Sequence, residues 1–168
     1  KSRCDVSHVL NKHGLVGAAA EIGVDMGHYA SAVLADWKGK TYYMVDPWAK
    51  QDPSVYNESP TFDFNLSYER ALGCAKRHHT RVKMIRKLSV DAAKDIPDLS
   101  LDWVWIDGNH MYHAVVEDLK TWWPKVKAGG VFSGHDYPEP QIVKAVGEWM
   151  TANGKEFVTS DSSWWLVK

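Results

Sequence analysis

Asp107, Asn109, His110, Tyr112 and His113 crowd into the second half of WVWIDGNHMYH (103–113), directly after four strongly apolar residues. A carboxylate and an imidazole delivered together can bind a divalent cation or move a proton. The plain alternative is a buried strand ending in a polar turn. A second cluster, GHDY (134–137), supplies His135 and Asp136. Ends of adjacent parallel strands lie about 4.8 Å apart, so Asp107, His135 and Asp136 can converge on one ion. Two carboxylates and an imidazole suit a divalent cation that keeps open water positions. Strand-end polar groups satisfying one another is an equal reading of the same residues.

Upstream, EIGVDMG (21–27) reads as a glycine turn between a strand and a helix. Gly23 and Gly27 let the backbone pass close to a ligand. The spacing is neither G-x-G-x-x-G nor a P-loop, which disfavours a dinucleotide pyrophosphate or a triphosphate cradle. Asp46 follows Gly27 by 19 residues. A carboxylate there can accept both hydroxyl hydrogens of a ribose, or it can cap the turn before Pro47. The basic stretch KRHHTRVKMIRK (76–87) holds six Lys or Arg. A solvated helix end followed by an exposed strand is the simpler reading; an anionic partner is the other.

These residues need elements to position them. Strand-like runs occur at 18–24, 41–46, 82–89, 101–108 and 129–137. Helix-like stretches occur at 28–37, 67–79 (with Ser67 as N-cap), 90–96, 112–126 and 140–154. Residues 156–161 and 163–168 predict a closing hairpin. Five β-α units and two adjacent strands imply an α/β fold: an open, mostly parallel seven-stranded sheet, helices on both faces, and a C-terminal antiparallel hairpin. LDWVWIDG is apolar on both faces, as the middle of a parallel sheet requires. Glu21, Gly23, Asp46, Ser89, Asp107, His135 and Asp136 then all fall at carboxyl ends of strands, where such sheets bind ligands.

Composition narrows the function classes. The chain has 168 residues, 45% apolar, with a formal net charge of −1. One domain over 1–168 is expected, with 1–17 as an N-terminal helix or extension and the proline-punctuated 49–65 as a lid loop. Near-neutral charge gives no reason to expect nucleic acid or a membrane as partner. Two cysteines without metal spacing fit ordinary thiols, and with no leader visible a cytoplasmic location is expected. Nine tryptophans are unusual; they are expected mainly in the core, with a carbohydrate surface as the alternative.

EIGVDMGHYASAVL, the Asp of YYMVDPW, and LDWVWIDGNHMYHAVVEDLKTWWPKVKAGGVFSGHDY together resemble class I S-adenosylmethionine-dependent methyltransferases. The IDG-x-H-x-Y…GG-x-x-x-x-HDY pattern is similar to that of small O-methyltransferases related to the macrocin, cephalosporin-type and catechol enzymes. The resemblance implies a Rossmann-like doubly wound fold and S-adenosylmethionine as cofactor. It implies that Glu21, Gly23 and Gly27 surround the cofactor's amino-acid end and that Asp46 binds the ribose. Pro47 or Trp48 would lie against the adenine, and Ser89 and Val90 would contact its edge. Asp107 would border the cofactor and take part in catalysis. With Asp136 it would ligate magnesium or manganese in the metal-dependent branch, His135 replacing the acidic residue often found beside them. His110 would be the general base. The implied partner is a small hydroxylated or sugar-containing acceptor, with homo-oligomerisation left open. Two rivals stand beside this reading. GNH and GHD are also similar to pieces of metal-dependent phosphoesterases, although Met111 follows where an acid is needed. A non-catalytic carbohydrate- or ligand-binding module is the third.

Overall fold

The computed structural model describes residues 5–54, 56, 61–78 and 80–168. The apolar runs form β1 (Ala18–Ile22), β2 (Thr41–Val45), β3 (Val82–Ile85), β4 (Leu101–Ile106) and β5 (Val126–Gly134), all parallel. The chain ends in β6 (Val158–Ser160) and β7 (Ser163–Val167), which pair antiparallel. The order is β3-β2-β1-β4-β5-β7-β6, with β7 antiparallel to β5. The chain winds outward from β1 to β3, then returns to β4. That reversal leaves a crevice between β1 and β4 at their carboxyl ends.

Alternation along the strands divides the core in two. Ala20, Ile22, Val104 and Ile106 pack under α4 (Ser89–Ala93), α5 (Tyr112–Trp122) and α6 (Pro140–Ala152). Ala19, Tyr42, Met44, Trp103 and Trp105 pack under α1 (Val6–Lys12), α2 (His28–Asp36) and α3 (Phe64–Arg77). Every residue of β4 is buried, which is why its sequence shows no polar face. Seven of the nine tryptophans are buried, so they serve packing and not a glycan surface.

Several boundaries differ from expectation. α3 begins at Phe64, not after Ser67, because the Asp63 carboxylate accepts the Asn65 and Leu66 amides and caps the helix first. Ser67 is buried inside the helix and donates to the Asp25 carboxylate at 2.8 Å. β3 stops at Ile85, so Ser89 opens α4 instead of ending a strand. α5 stops at Trp122 because Pro124 offers no N–H, and Trp123–Lys125 form a 3₁₀ turn. β5 starts three residues early, with a bulge against β4 between Leu101 and Trp103. The basic stretch has structural work. Arg81 donates to the carbonyls of Leu34, Trp37 and Gly39 at the carboxyl end of α2. Arg86 lies over the Tyr68 ring and donates to the Trp48 carbonyl.

Candidate functional site

A cleft of about 1150 Å³ opens across the carboxyl ends of the strands. Its floor is the crevice between β1 and β4. Gly23 sits there with φ +84°, and a Cβ would stand 2.1 Å from the Asp107 carbonyl oxygen. Only glycine allows this approach. Glu21, at the end of β1, is 1% exposed yet borders the cleft, and accepts from the Tyr42 hydroxyl at 2.8 Å. Burial and the neighbouring Glu21 charge push the Tyr42 phenol well above its ordinary value, so it stays a donor. Gly27 does not border the cleft. Its φ is +77°, and a Cβ there would press on Ala71 and Cys74 at 3.3 Å, so it serves the packing of α2 on α3.

Asp46 closes the end of β2. One of its oxygens accepts the Val24 and Asp25 amides at 3.0 Å; the other accepts the Trp48 amide at 2.7 Å. Burial raises its pKa, and these three amide bonds oppose the rise. Of roughly four acceptor positions on a carboxylate, three are taken. Asp46 therefore holds the glycine loop in shape and has room for about one further hydroxyl, not the pair read from the sequence. Pro47 borders the cleft, but Trp48 is 1% exposed and points into the core, where its indole donates to the Asp25 carbonyl. Stacking on a ligand from Trp48 is excluded by that burial. Asp25, Trp48 and Asp136 have φ of +48°, +40° and +50°. Left-handed backbone at non-glycine residues is strained and clusters at working sites.

At the other side of the crevice, Asp107 follows β4 and His135-Asp136 follows β5. Among the described residues, the group whose donor atoms all lie within 4.8 Å of one another is Asp107, His110 and Asp136. The three side chains expected to share one ion do not form that compact group; His110 takes the place of His135 in it. His110 was read from sequence as a base only. Its Nε2 is 3.2 Å from Asp136 Oδ2, and its Nδ1 is 3.4 Å from Glu139 Oε1. His135 stands beside the group, with Nδ1 2.9 Å from Asp136 Oδ1 and 3.6 Å from Asp107 Oδ1, and Nε2 2.7 Å from the Ser162 hydroxyl. Asp136 thus links two imidazoles. His113 lies on the first turn of α5 at the cleft wall.

Ser89 and Val90 border the cleft from the start of α4. The Ser89 hydroxyl is already engaged: it donates to Asp118 and accepts from the Trp122 indole at 2.8 Å. Asp118, Glu139 and Ser162 were not singled out from sequence. Asp118 had a signal, since it shares the buried stripe of α5 with Val115, Leu119 and Trp122. A carboxylate in such a stripe demands a reason. Gln51, Tyr56, Phe62 and Phe64, from or beside the expected lid, also border the cleft. Residues 55 and 57–60 of that segment lie outside the described residues.

In doubly wound sheets ligands bind in the crevice outside the carboxyl ends of the strands, and this cleft lies there, beside the glycine loop and the acid that closes β2. The family model for a methyltransferase domain matches residues 20–137, and the chain belongs to that family. It is 27% identical over 130 residues to the uncharacterized protein y4gI of Sinorhizobium fredii, covering 77% of this chain and 14% of that protein. It is 26% identical over 136 residues to the uncharacterized protein R132 of Acanthamoeba polyphaga mimivirus, covering 76% of this chain and 57% of that one. The chain therefore spans well under two thirds of the curated relatives it matches. Among solved structures, the O-methyltransferase NovP superposes with a TM-score of 0.73 at 18% identity, over 98% of this chain and 77% of NovP. A Bacillus cereus O-methyltransferase, solved in complex with SAH, superposes with a TM-score of 0.67 at 11% identity, over 98% and 80% of the two chains. At these identities the likeness establishes the fold. Among the described residues, no helix is long and apolar enough to cross a membrane.

Proposed function

We propose that this chain transfers a methyl group from S-adenosylmethionine to a hydroxyl oxygen of a small molecule or sugar. The observation that carries the reading is one cleft bordered by Glu21, Gly23, Asp46, Ser89, Asp107 and His110 together. Glu21 and Gly23 would hold the cofactor's amino-acid end, and Asp46 would accept one ribose hydroxyl. Pro47 and the start of α4 would hold the purine. Bound there, the cofactor would supply an electrophilic methyl group, with Asp107 and His110 left for the acceptor.

Methyl transfer is an in-line displacement, so most of the protein's task is positioning. The acceptor hydroxyl binds beside Asp107, and His110 takes its proton. Asp136 stands at Nε2 and Glu139 at Nδ1, so one carboxylate orients the ring while the other must give up its place to the acceptor hydroxyl, whose proton that nitrogen then takes. Gln51, Tyr56 and Phe62 border the cleft and would contact the acceptor.

The grouping of Asp107, His110 and Asp136 favours a second version of the same reaction. Two carboxylates and an imidazole fit a divalent cation such as magnesium or, given the nitrogen donor, manganese. Bound there, the cation would lower the acceptor's pKa, and His110 would be a ligand and not a base.

Calorimetric titration with S-adenosylhomocysteine, with and without manganese, tests the proposal. Saturable one-to-one binding is expected. An absence of binding in both conditions removes the methyltransferase reading. A manganese titration that gives no heat, beside normal binding of the homocysteine product, removes only the metal version.

A further inference from the structure

The chain's charges are close to balance, with 21 Asp or Glu against 20 Lys or Arg. The cleft does not share that balance. Among the described residues, nine of those that border it are Asp or Glu, and none is Lys or Arg. Residues 55 and 57–60 contain one Glu and no Lys or Arg. Two of the nine count for little: Asp91 pairs with Lys94 at 2.7 Å, and burial raises the Asp118 carboxyl to about 7. Asp25, Asp107, Glu117, Asp136 and Glu139 pair with no Lys or Arg among the described residues. The nearby cations are engaged elsewhere. Arg86 donates to the Pro47 and Trp48 carbonyls and covers the Tyr68 ring, and Lys87 pairs with Asp95.

Carboxylates gathered in a cleft with low-dielectric walls focus a negative potential on whatever enters it. The cofactor of the proposed reaction carries one net positive charge, and a divalent cation at Asp107, His110 and Asp136 would carry two. Together they offset fewer charges than the cleft holds. Glu139 stands just before α6 with its side chain half exposed, and its Oε1 lies 3.4 Å from His110 Nδ1. From that place it can hold a charged group of the acceptor while the acceptor's hydroxyl reaches the imidazole.

From this distribution we infer that the acceptor is a cation, a hydroxylated compound carrying a protonated amine, and that Glu139 is the specificity-determining residue that pairs with its ammonium. The inference rests on the proposed methyl transfer and adds the charge class of its acceptor. Phosphorylated, carboxylated and nucleic-acid acceptors bring like charge to the carboxylates and are rejected. The hydroxyl proton passes to His110. The ammonium keeps its own proton and has no lone pair to attack with, so oxygen and not nitrogen receives the methyl group.

The experiment uses three methyl glucosides that differ only at carbon 6: the 6-amino-6-deoxy compound, methyl glucoside itself and methyl glucuronide. Near neutral pH they are a cation, a neutral molecule and an anion of similar shape. Each is titrated by calorimetry, at low ionic strength, into protein saturated with S-adenosylhomocysteine. The amine is expected to bind about 10-fold more tightly than the neutral glycoside, and the glucuronide more weakly than either. In Glu139→Gln the advantage of the amine is expected to shrink about 3-fold. Equal affinity for the three, tighter binding of the glucuronide, or no binding of the amine at millimolar concentration overturns the inference. A folded Glu139→Gln protein that keeps the wild-type ratio overturns the role of Glu139. A wild-type protein that does not take up S-adenosylhomocysteine rejects the methyl transfer on which the inference rests, a failure distinguishable from the others.

Discussion

The two ends of the parallel sheet treat their carboxylates differently. At the amino end, Asp102 on β4 is 7% exposed and has a partner at each oxygen: one accepts the Gly17 amide and the other pairs with Lys127 at 2.7 Å. At the carboxyl end, Asp107, Asp136 and Glu139 gather around two imidazoles with no Lys or Arg paired to them among the described residues. Asp118 sits buried near that end and accepts the Ser89 hydroxyl. Both ends close the same strands with the same residue types. What separates the two ends is whether the carboxylate is matched by a lysine or arginine of the protein among the described residues.

Three measurements would break or sharpen this contrast. The largest effect is expected for Asp107→Asn, which keeps shape and removes charge. Methyl-transfer turnover should fall about 1000-fold, while the urea midpoint stays near that of the wild type. A variant that unfolds more easily and turns over normally would make Asp107 another structural residue. Next comes Asp102→Ala at the opposite end. Loss of its amide and lysine contacts should cost about 2 kcal/mol in urea unfolding, with affinity for S-adenosylhomocysteine unchanged. A coupled loss of binding would show that the two ends are not independent.

The smallest effect per step concerns Asp118. Its carboxyl is raised in the folded protein from the ordinary 3.8 to about 7, by burial first and against the Ser89 hydrogen bond, with Glu117 adding a like charge. The folded state therefore holds a proton that the unfolded chain releases. Its contribution to stability is present below about pH 4 and is lost as pH rises to about 7. Across that window the wild type should lose roughly 1 kcal/mol per pH unit relative to Asp118→Asn. Thermal melts of both proteins from pH 4 to 8 check this, and parallel curves would mean Asp118 is ionised throughout.

Much of the fold was legible in the sequence. The strand runs, their alternation with helical spacing and the hairpin at the end are local patterns, and local patterns survive folding. Boundaries failed where a nearer signal competed: Asp63 capped α3 ahead of Ser67, and Pro124 cut α5 short. The candidate site was legible as a set of strand-end residues but not as contacts. Nothing local distinguishes Gly23, pressed against β4, from Gly27, pressed against α3. Trp48 follows a cleft residue yet turns inward, because a left-handed φ and the Asp25 carbonyl hold its ring in the core.

By itself the sequence determined the order of elements, the buried central strand, and the edge at which carboxylates and imidazoles would appear. These follow from side-chain period and from the rule that parallel strands present their carboxyl ends together. Only the tertiary structure decided which partners those side chains have. Asp46 faces three amides, Asp136 joins His110 to His135, and Ser89 locks one oxygen of Asp118. Such pairings join residues tens of positions apart, and they are set by how helices seat on the sheet, which no short stretch of chain encodes.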